Sequence, residues 1–196
     1  MKSPPPPLCL PKLCARISAA YRRHAILRNF RILKFLNREL LPLLELSRLP
    51  QCGEYIQHGD TTVLLHCIAV AYFSLYLVRR LHLRCNETSL VRGALLHDYF
   101  LYDWHTPDPS HRLHGFHHPA RALQNARQDL PLTPLEEDII VHHMFPLTPK
   151  PPRSREAAVV CLVDKGCGLY ETFGRGTYPG LRRLLRHADR RTPTKN

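Results

Sequence analysis

The stretch Gly93-Ala94-Leu95-Leu96-His97-Asp98-Tyr99-Phe100-Leu101-Tyr102-Asp103-Trp104-His105 decides how this chain is read. It is an apolar helix that ends in a histidine followed directly by an aspartate. Counting back from His97 in helical steps meets Ala94, Gly93 and Leu90, small enough in part to let a neighbouring helix come close to where His97 points. Asp98 lies one position round. An isolated buried carboxylate is very costly, so Asp98 needs a partner. Two adjacent ligand-type residues at a helix end, behind a dry helix, suggest a metal site. The plainer alternative is a helix end whose His and Asp face water.

The rest of the chain adds to the pair. His66 lies upstream on an apolar helix, sharing a face with Val70, Phe73 and Leu77. His118 and the pair His142-His143 lie downstream, and Asp164 closes the series, in register with Ala157 and Val160 on a core-facing helix. Each step is roughly twenty to thirty residues, about one helix and loop, as several helices converging on one site would need. Helix ends are marked by residue type. Asp60-Thr-Thr can cap a helix to about Leu81, and Thr88 or Ser89 the next; Thr133-Pro-Leu-Glu136 is a capping box for a helix to His143, and Ser154 starts a helix from Arg155 to Thr172. His118-Pro119 is expected to open a helix to Asp129, with a histidine-rich loop (Asp103 to His117) before it at the mouth of the site. No period-two alternation of useful length competes, so the expected fold is all-α, a bundle of five to six core helices.

At 196 residues with 44% apolar content, the chain has room for one real core. Its net charge of +12 is uneven: residues 51–174 are near neutral, and the basic residues concentrate at both ends. The expected organisation is a basic extension over 1–40, a core domain over 41–174 and a basic tail over 175–196. A basic helix from Ile17 to Leu41 and a short second helix after Pro42 are expected in the first part. Charge alone, with no binding motif, does not support nucleic acid as the partner. The apolar run Ile68–Val78 is too short to span a bilayer, no secretory signal is apparent, and seven cysteines without a CxxC pair suit free thiols in a reducing cytoplasm. There is no phosphate-binding glycine loop, no GxSxG elbow and no acidic pair suited to glycoside chemistry.

The ordered set His66, His97-Asp98, Asp164 resembles the HD superfamily of metal-dependent phosphohydrolases, with His118 and His142-His143 similar to the extra histidines of members that bind two metals. The likeness covers residues 57 to 173. Gln57-His-Gly, Leu96-His-Asp-Tyr-Phe-Leu-Tyr-Asp-Trp-His, His111-Arg-Leu-His-Gly-Phe and Met144-Phe-Pro-Leu-Thr are similar to a subgroup of small single-domain bacterial HD proteins. The lysine that often follows the doublet and the Gly-Tyr-Pro motif of cyclic-dinucleotide phosphodiesterases are both absent.

The resemblance implies that His66, His97, Asp98 and Asp164 hold one divalent transition metal (Mn, Fe, Co, Ni or Zn), while His118 and His143 hold a second with Asp98 as bridge. Two ions are expected, since His118 and His143 sit at helix ends that an antiparallel helix pair brings together. It further implies hydrolysis of a phosphate ester, a nucleotide among the candidates, with Asp98, His114 and Lys165 in the chemistry and Arg112, His114, His142 and Lys165 against the substrate. The rival expectation is a non-catalytic HD module that binds a nucleotide or a partner protein.

Overall fold

The computed structural model describes residues 29–109, 112–174 and 178–182. The Pro-rich lead, the start of the expected basic helix, His111 and most of the expected C-terminal tail lie outside those residues. The described chain is all-α apart from one small hairpin. Helix α1 covers 29–46 and a 3-10 turn Leu49–Gly53 follows. Strands β1 (Ile56–His58) and β2 (Thr61–Thr62) pair antiparallel. Helices α2 (Val63–Arg80), α3 (Glu87–Leu96), α4 (His114–Asp129), α5 (Pro134–His142) and α6 (Arg155–Phe173) complete the order.

The hairpin was not expected from the sequence, because strands of three and two residues show no alternation. Its turn needs Gly59, whose φ is +55° and whose Cα lies where an added Cβ would sit 3.3 Å from the Glu171 carbonyl. A side chain would be strained there and crowded against α6. The hairpin is thereby held on α6, with Gln57 turned inward.

Helix α2 is the central element. Thr62 caps it by accepting from the Leu65 N–H, and Arg79 and Arg80 in the last turn complement the helix dipole. By length and composition it is apolar enough to cross a membrane, longer than the Ile68–Val78 run suggests; here most of it is buried inside the bundle. It packs on α3 and α6, α3 packs on α5, and α5 packs on α4 and α6. The close approach anticipated at Gly93 is present: a Cβ there would lie 2.9 Å from Ile139 Cβ on α5. Any larger residue would push α3 and α5 apart.

The caps differ in detail. Asn86, rather than Thr88 or Ser89, caps α3 by accepting from the Ser89 N–H. The Thr133–Glu136 capping box and the Ser154 cap of α6 are as read from the sequence. Helix α4 begins a turn early, at His114, after Leu113 takes a left-handed φ of 57°. Pro119 therefore sits in the second turn and removes one backbone hydrogen bond. Cys52, Cys67, Cys85, Cys161 and Cys167 are free thiols, and all but Cys85 are buried.

The expected boundary at residue 40 does not match the packing. Helix α1 runs through it, and through Pro42, and Ile32, Leu33, Leu36, Leu40 and Leu43 all join the buried core cluster. Charged residues at Arg31, Lys34 and Arg38 made the segment read as a solvated extension; its apolar stripe is nonetheless covered. Leu36→Ala should cost about 2–5 kcal/mol in denaturant unfolding, as a buried Leu→Ala does. Leu46→Ala, at a position 69% exposed on the same helix, should cost less than about 0.5 kcal/mol. Equal effects would show that α1 is not part of the core.

Candidate metal centre

Five helices, two of them through their C-terminal ends, deliver imidazoles and carboxylates to a single buried point. His66 comes from the first turns of α2, His97 and Asp98 from the end of α3, His118 from α4, His143 from the end of α5, and Asp164 from the middle of α6. All six expected ligands are brought together. All but Asp164 are buried.

Each imidazole has one nitrogen fixed by the fold. His97 closes α3, and its Nδ1–H donates to the Ala94 carbonyl at 2.7 Å; His143 closes α5 and donates to the Ile140 carbonyl at 2.8 Å. Both satisfy carbonyls that a helix end leaves unpaired. His118 Nδ1 donates to the His114 carbonyl at 3.0 Å. In these three rings the Nδ1–H is fixed by the backbone, which leaves Nε2 as the atom turned to the cluster. His66 is held by a carboxylate instead: Nδ1 donates to Glu171 Oε2 at 2.9 Å, and Tyr178 Oη donates to the Glu171 Oε1 at 2.7 Å.

The Nε2 atoms converge on Asp98. Its Oδ2 is 3.7 Å from His66 Nε2 and 3.4 Å from His97 Nε2; its Oδ1 is 3.2 Å from His118 Nε2 and 3.5 Å from His143 Nε2. Gln57 Nε2 donates to Oδ2 at 2.6 Å. Asp164 Oδ1 lies 3.0 Å from His66 Nε2 and 3.5 Å from His97 Nε2.

Two features of this arrangement suit a cation. His118 Nε2 and His143 Nε2 are 2.8 Å apart, although both rings already donate through Nδ1. Neutral rings would then oppose lone pair to lone pair. His97 Nε2 and Asp98 Oδ1 are buried with no hydrogen-bond partner. His97 Nε2 is close enough to two carboxylates for strong electrostatic coupling and too far for a good hydrogen bond. Such orphans are rare unless another group completes them. The buried sets His66, His97, Asp164 and His97, Asp98, His143 could each hold a metal ion, with all donor atoms of a set within 4.8 Å of one another. His97 offers a single Nε2, so it serves one ion; in the other set His118, beside His143 and Asp98 Oδ1, can take its place.

Protonation in the cation-free cluster tells the same story. Burial works against the charge on Asp98, but His97, His118 and His143 hold its carboxyl well below the usual range. Burial likewise opposes Asp164, and His66 and His97 hold it low. Burial would lower His66 and His97, yet the carboxylates around them drive both well above an ordinary imidazole. His143 is pushed down, chiefly by burial, with Asp98 opposing. The carboxylates Asp98, Asp164 and Glu171 thus favour a proton on His66 and on His97, a place that a divalent ion can fill.

The remaining candidates separate. His114 lines a cleft of about 790 Å³ beside the cluster, with Nδ1 paired to Tyr102 Oη at 2.8 Å and its ring between Trp104 and His118. Lys165 lines it too, its Nζ donating to the His143 carbonyl at 2.6 Å and lying 3.7 Å from Asp164 Oδ2. Arg112 and His142 do not reach it. Arg112 is exposed on the turn before α4, where Leu113 redirects the chain. His142 points the other way round α5, as adjacent helical residues must, and its Nδ1 donates to Asp138 Oδ1 at 2.7 Å; Asp138 also accepts from Ser154 Oγ at 2.6 Å. It ties α5 to the start of α6. His105 is exposed and pairs with Asp103.

Glu171 and Tyr178 were not foreseen. The signal for Glu171 was its spacing: seven residues past Asp164 puts both on one face of α6, about 10.5 Å of rise apart, bracketing the His66 ring. Nothing in the sequence announces Tyr178, which returns to α6 after the helix has ended. No family model, curated protein or solved structure matches the chain.

Glu171→Ala should weaken binding of a divalent ion about 10- to 100-fold, the range for losing a carboxylate behind a ligating histidine. His142→Ala should leave metal affinity unchanged; titration with Zn²⁺ or Co²⁺ measures both, and equal losses would contradict the assignment. Binding should also release protons, because an ion must displace those on His66 and His97. Apparent affinity therefore rises with pH until those rings are neutral and falls towards acid. Calorimetry in two buffers of different ionisation enthalpy reads the release directly; none would contradict the cluster's charge balance.

Proposed function

We propose that this chain is an HD-type metal-dependent phosphohydrolase, holding two divalent transition-metal ions and cleaving a phosphate ester with water. The observation that carries the reading is the division of Asp98: one oxygen faces His66 and His97, the other faces His118 and His143. A carboxylate whose two oxygens face different imidazole sets is shaped as a bridge. His66, His97, Asp98 and Asp164 would hold one ion, and Asp98, His118 and His143 the other. Mixed imidazole and carboxylate donors suit Mn, Fe, Co, Ni or Zn rather than Ca.

Bound divalent ions supply a water of pKa about 7 and neutralise charge on phosphoryl oxygens. The chain's own residues do the rest. Gln57 donates to Asp98 and fixes the carboxylate plane. Lys165, on the cleft wall beside Asp164, offers its ammonium to a phosphoryl oxygen. In the reaction the water oxygen attacks phosphorus, the P–O bond to the alcohol breaks, and the departing oxygen takes a proton. His114, oriented by Tyr102 and stacked beside His118, is assigned to give that proton.

The test is a panel of phosphomonoesters and phosphodiesters with metal-loaded protein. Hydrolysis that depends on added metal supports the reading; stoichiometric metal with no turnover on any ester would favour the non-catalytic module. His114→Ala should lower turnover of alkyl phosphates about 10²-fold, a general acid's usual share, and that of p-nitrophenyl phosphate much less, since p-nitrophenolate leaves without a proton. Equal losses on both would remove His114 from that role.

A further inference from the structure

The phosphohydrolase reading leaves the substrate's organic part open, nucleotides included. The cleft walls narrow it. We propose that the cleft takes a phosphate ester with one phosphoryl group on an apolar, aliphatic body, in preference to a nucleoside polyphosphate; this rests on the phosphohydrolase reading.

Three observations carry it. The first is charge. Among the described residues lining the cleft, Lys165 is the sole Lys or Arg, and its Nζ already donates to the His143 carbonyl. A triphosphate brings about four negative charges, and sites built for it gather several cationic or backbone N–H donors. With the two ions engaged by the reacting phosphoryl group, one ammonium stands beside the cluster, and no further Lys or Arg among the described lining residues meets a chain of additional phosphates.

The second is the apolar wall. Met144, Pro146 and Leu147 after α5, with Leu169 on α6, line the cleft. Leu147 is 46% exposed and Leu169 62% exposed. Gly115 at the start of α4 closes on the same leucine: a Cβ there would lie 2.9 Å from Leu147 Cδ2. Large apolar side chains left to water around the mouth of a cleft gain by being covered. An aliphatic group attached to a phosphate at the cluster would cover them.

The third concerns rings. His114 stacks on His118 with centroids 4.5 Å apart and on Trp104 at 5.2 Å, and His105 packs on Trp104 at 3.8 Å. The stacking capacity of these aromatics is largely used within the chain, which disfavours a nucleobase as the covering group. The polar atoms that remain are few. Gln57 Oε1 and Trp104 Nε1, both on cleft residues, are buried without partners, one acceptor and one donor.

The experiment uses the full chain loaded with Mn²⁺ and a series of ethyl, butyl, hexyl and octyl phosphate, with AMP and ATP alongside. Expected is a rise in kcat/KM of about two- to fourfold per methylene until the wall is covered, the size set by moving a methylene from water to an apolar surface. ATP should be the poorest substrate. The double variant Leu147→Ser, Leu169→Ser should lower the octyl-to-ethyl ratio at least tenfold. Binding is read separately from turnover, because Trp104 is the chain's single tryptophan and lies in the cleft. Trp104 fluorescence should report tighter binding with each added methylene. Tighter binding along the series without hydrolysis would refute the enzyme and keep the ligand class. Hydrolysis with no dependence on chain length, or with ATP preferred, would overturn the ligand class and keep the enzyme. No hydrolysis and no chain-length dependence of binding would overturn both.

Discussion

A buried carboxylate sets the terms for this structure. Asp98 is almost fully removed from water, and an unpaired charge in that position would cost more than the whole fold is worth. What meets it answers that charge. The Gln57 amide donates to Oδ2, and the raised basicity of His66 and His97 favours protons beside it. The Nε2 atoms of His118 and His143 face Oδ1, where a cation would join them. Removing charge from such a site strands what remains, so the cluster behaves as a unit. The helices are placed where this convergence needs them. Gly93 lets α3 and α5 meet closely, which brings His97 and His143 within ring contact, 4.8 Å between centroids.

Orientation is fixed a layer further out. Three histidines spend Nδ1–H on a backbone carbonyl, two of them at the ends of α3 and α5, so helix termination and ligand presentation are the same event. The fourth spends it on Glu171, itself pinned by Tyr178. A rigid shell of this kind holds donor atoms ready without an ion present, lowering the ordering cost of binding one. The carboxylate behind His66 takes the place that a backbone carbonyl takes behind the other three, an asymmetry in how the rings are held.

Much of this was legible in the chain. His66, His97, Asp98, His118, His143 and Asp164 all meet, because each lies on a strongly periodic helix or at a cap whose residue type marks it, as at Thr133 and Ser154. Failures share a cause: they depend on tertiary context. The start of α4 was placed a turn late because proline usually marks a first turn, whereas Leu113 supplies the break here. Helix α1 read as a solvated extension because its arginines and lysines dominate the composition, while its apolar stripe has meaning only against the core that covers it. His142 could be excluded from pointing with His143, but its actual partner, Asp138, required the geometry of α5. Tyr178 and the short hairpin carry no local pattern at all. Residue spacing can report which side chains share a helix face; it does not report which distant segment comes back to meet them.

The account stands on the claim that this cluster is a two-ion centre bridged by Asp98. The most direct measurement is metal content by mass spectrometry on the native chain and on Asp98→Asn, which keeps the side chain's shape and removes its charge. The account predicts about two equivalents of a first-row transition metal in the native chain and loss of both in Asp98→Asn, with the helical circular dichroism unchanged. Equal metal content in the two proteins, or a native chain that binds none when supplied with Mn, Fe, Co, Ni or Zn, would contradict it.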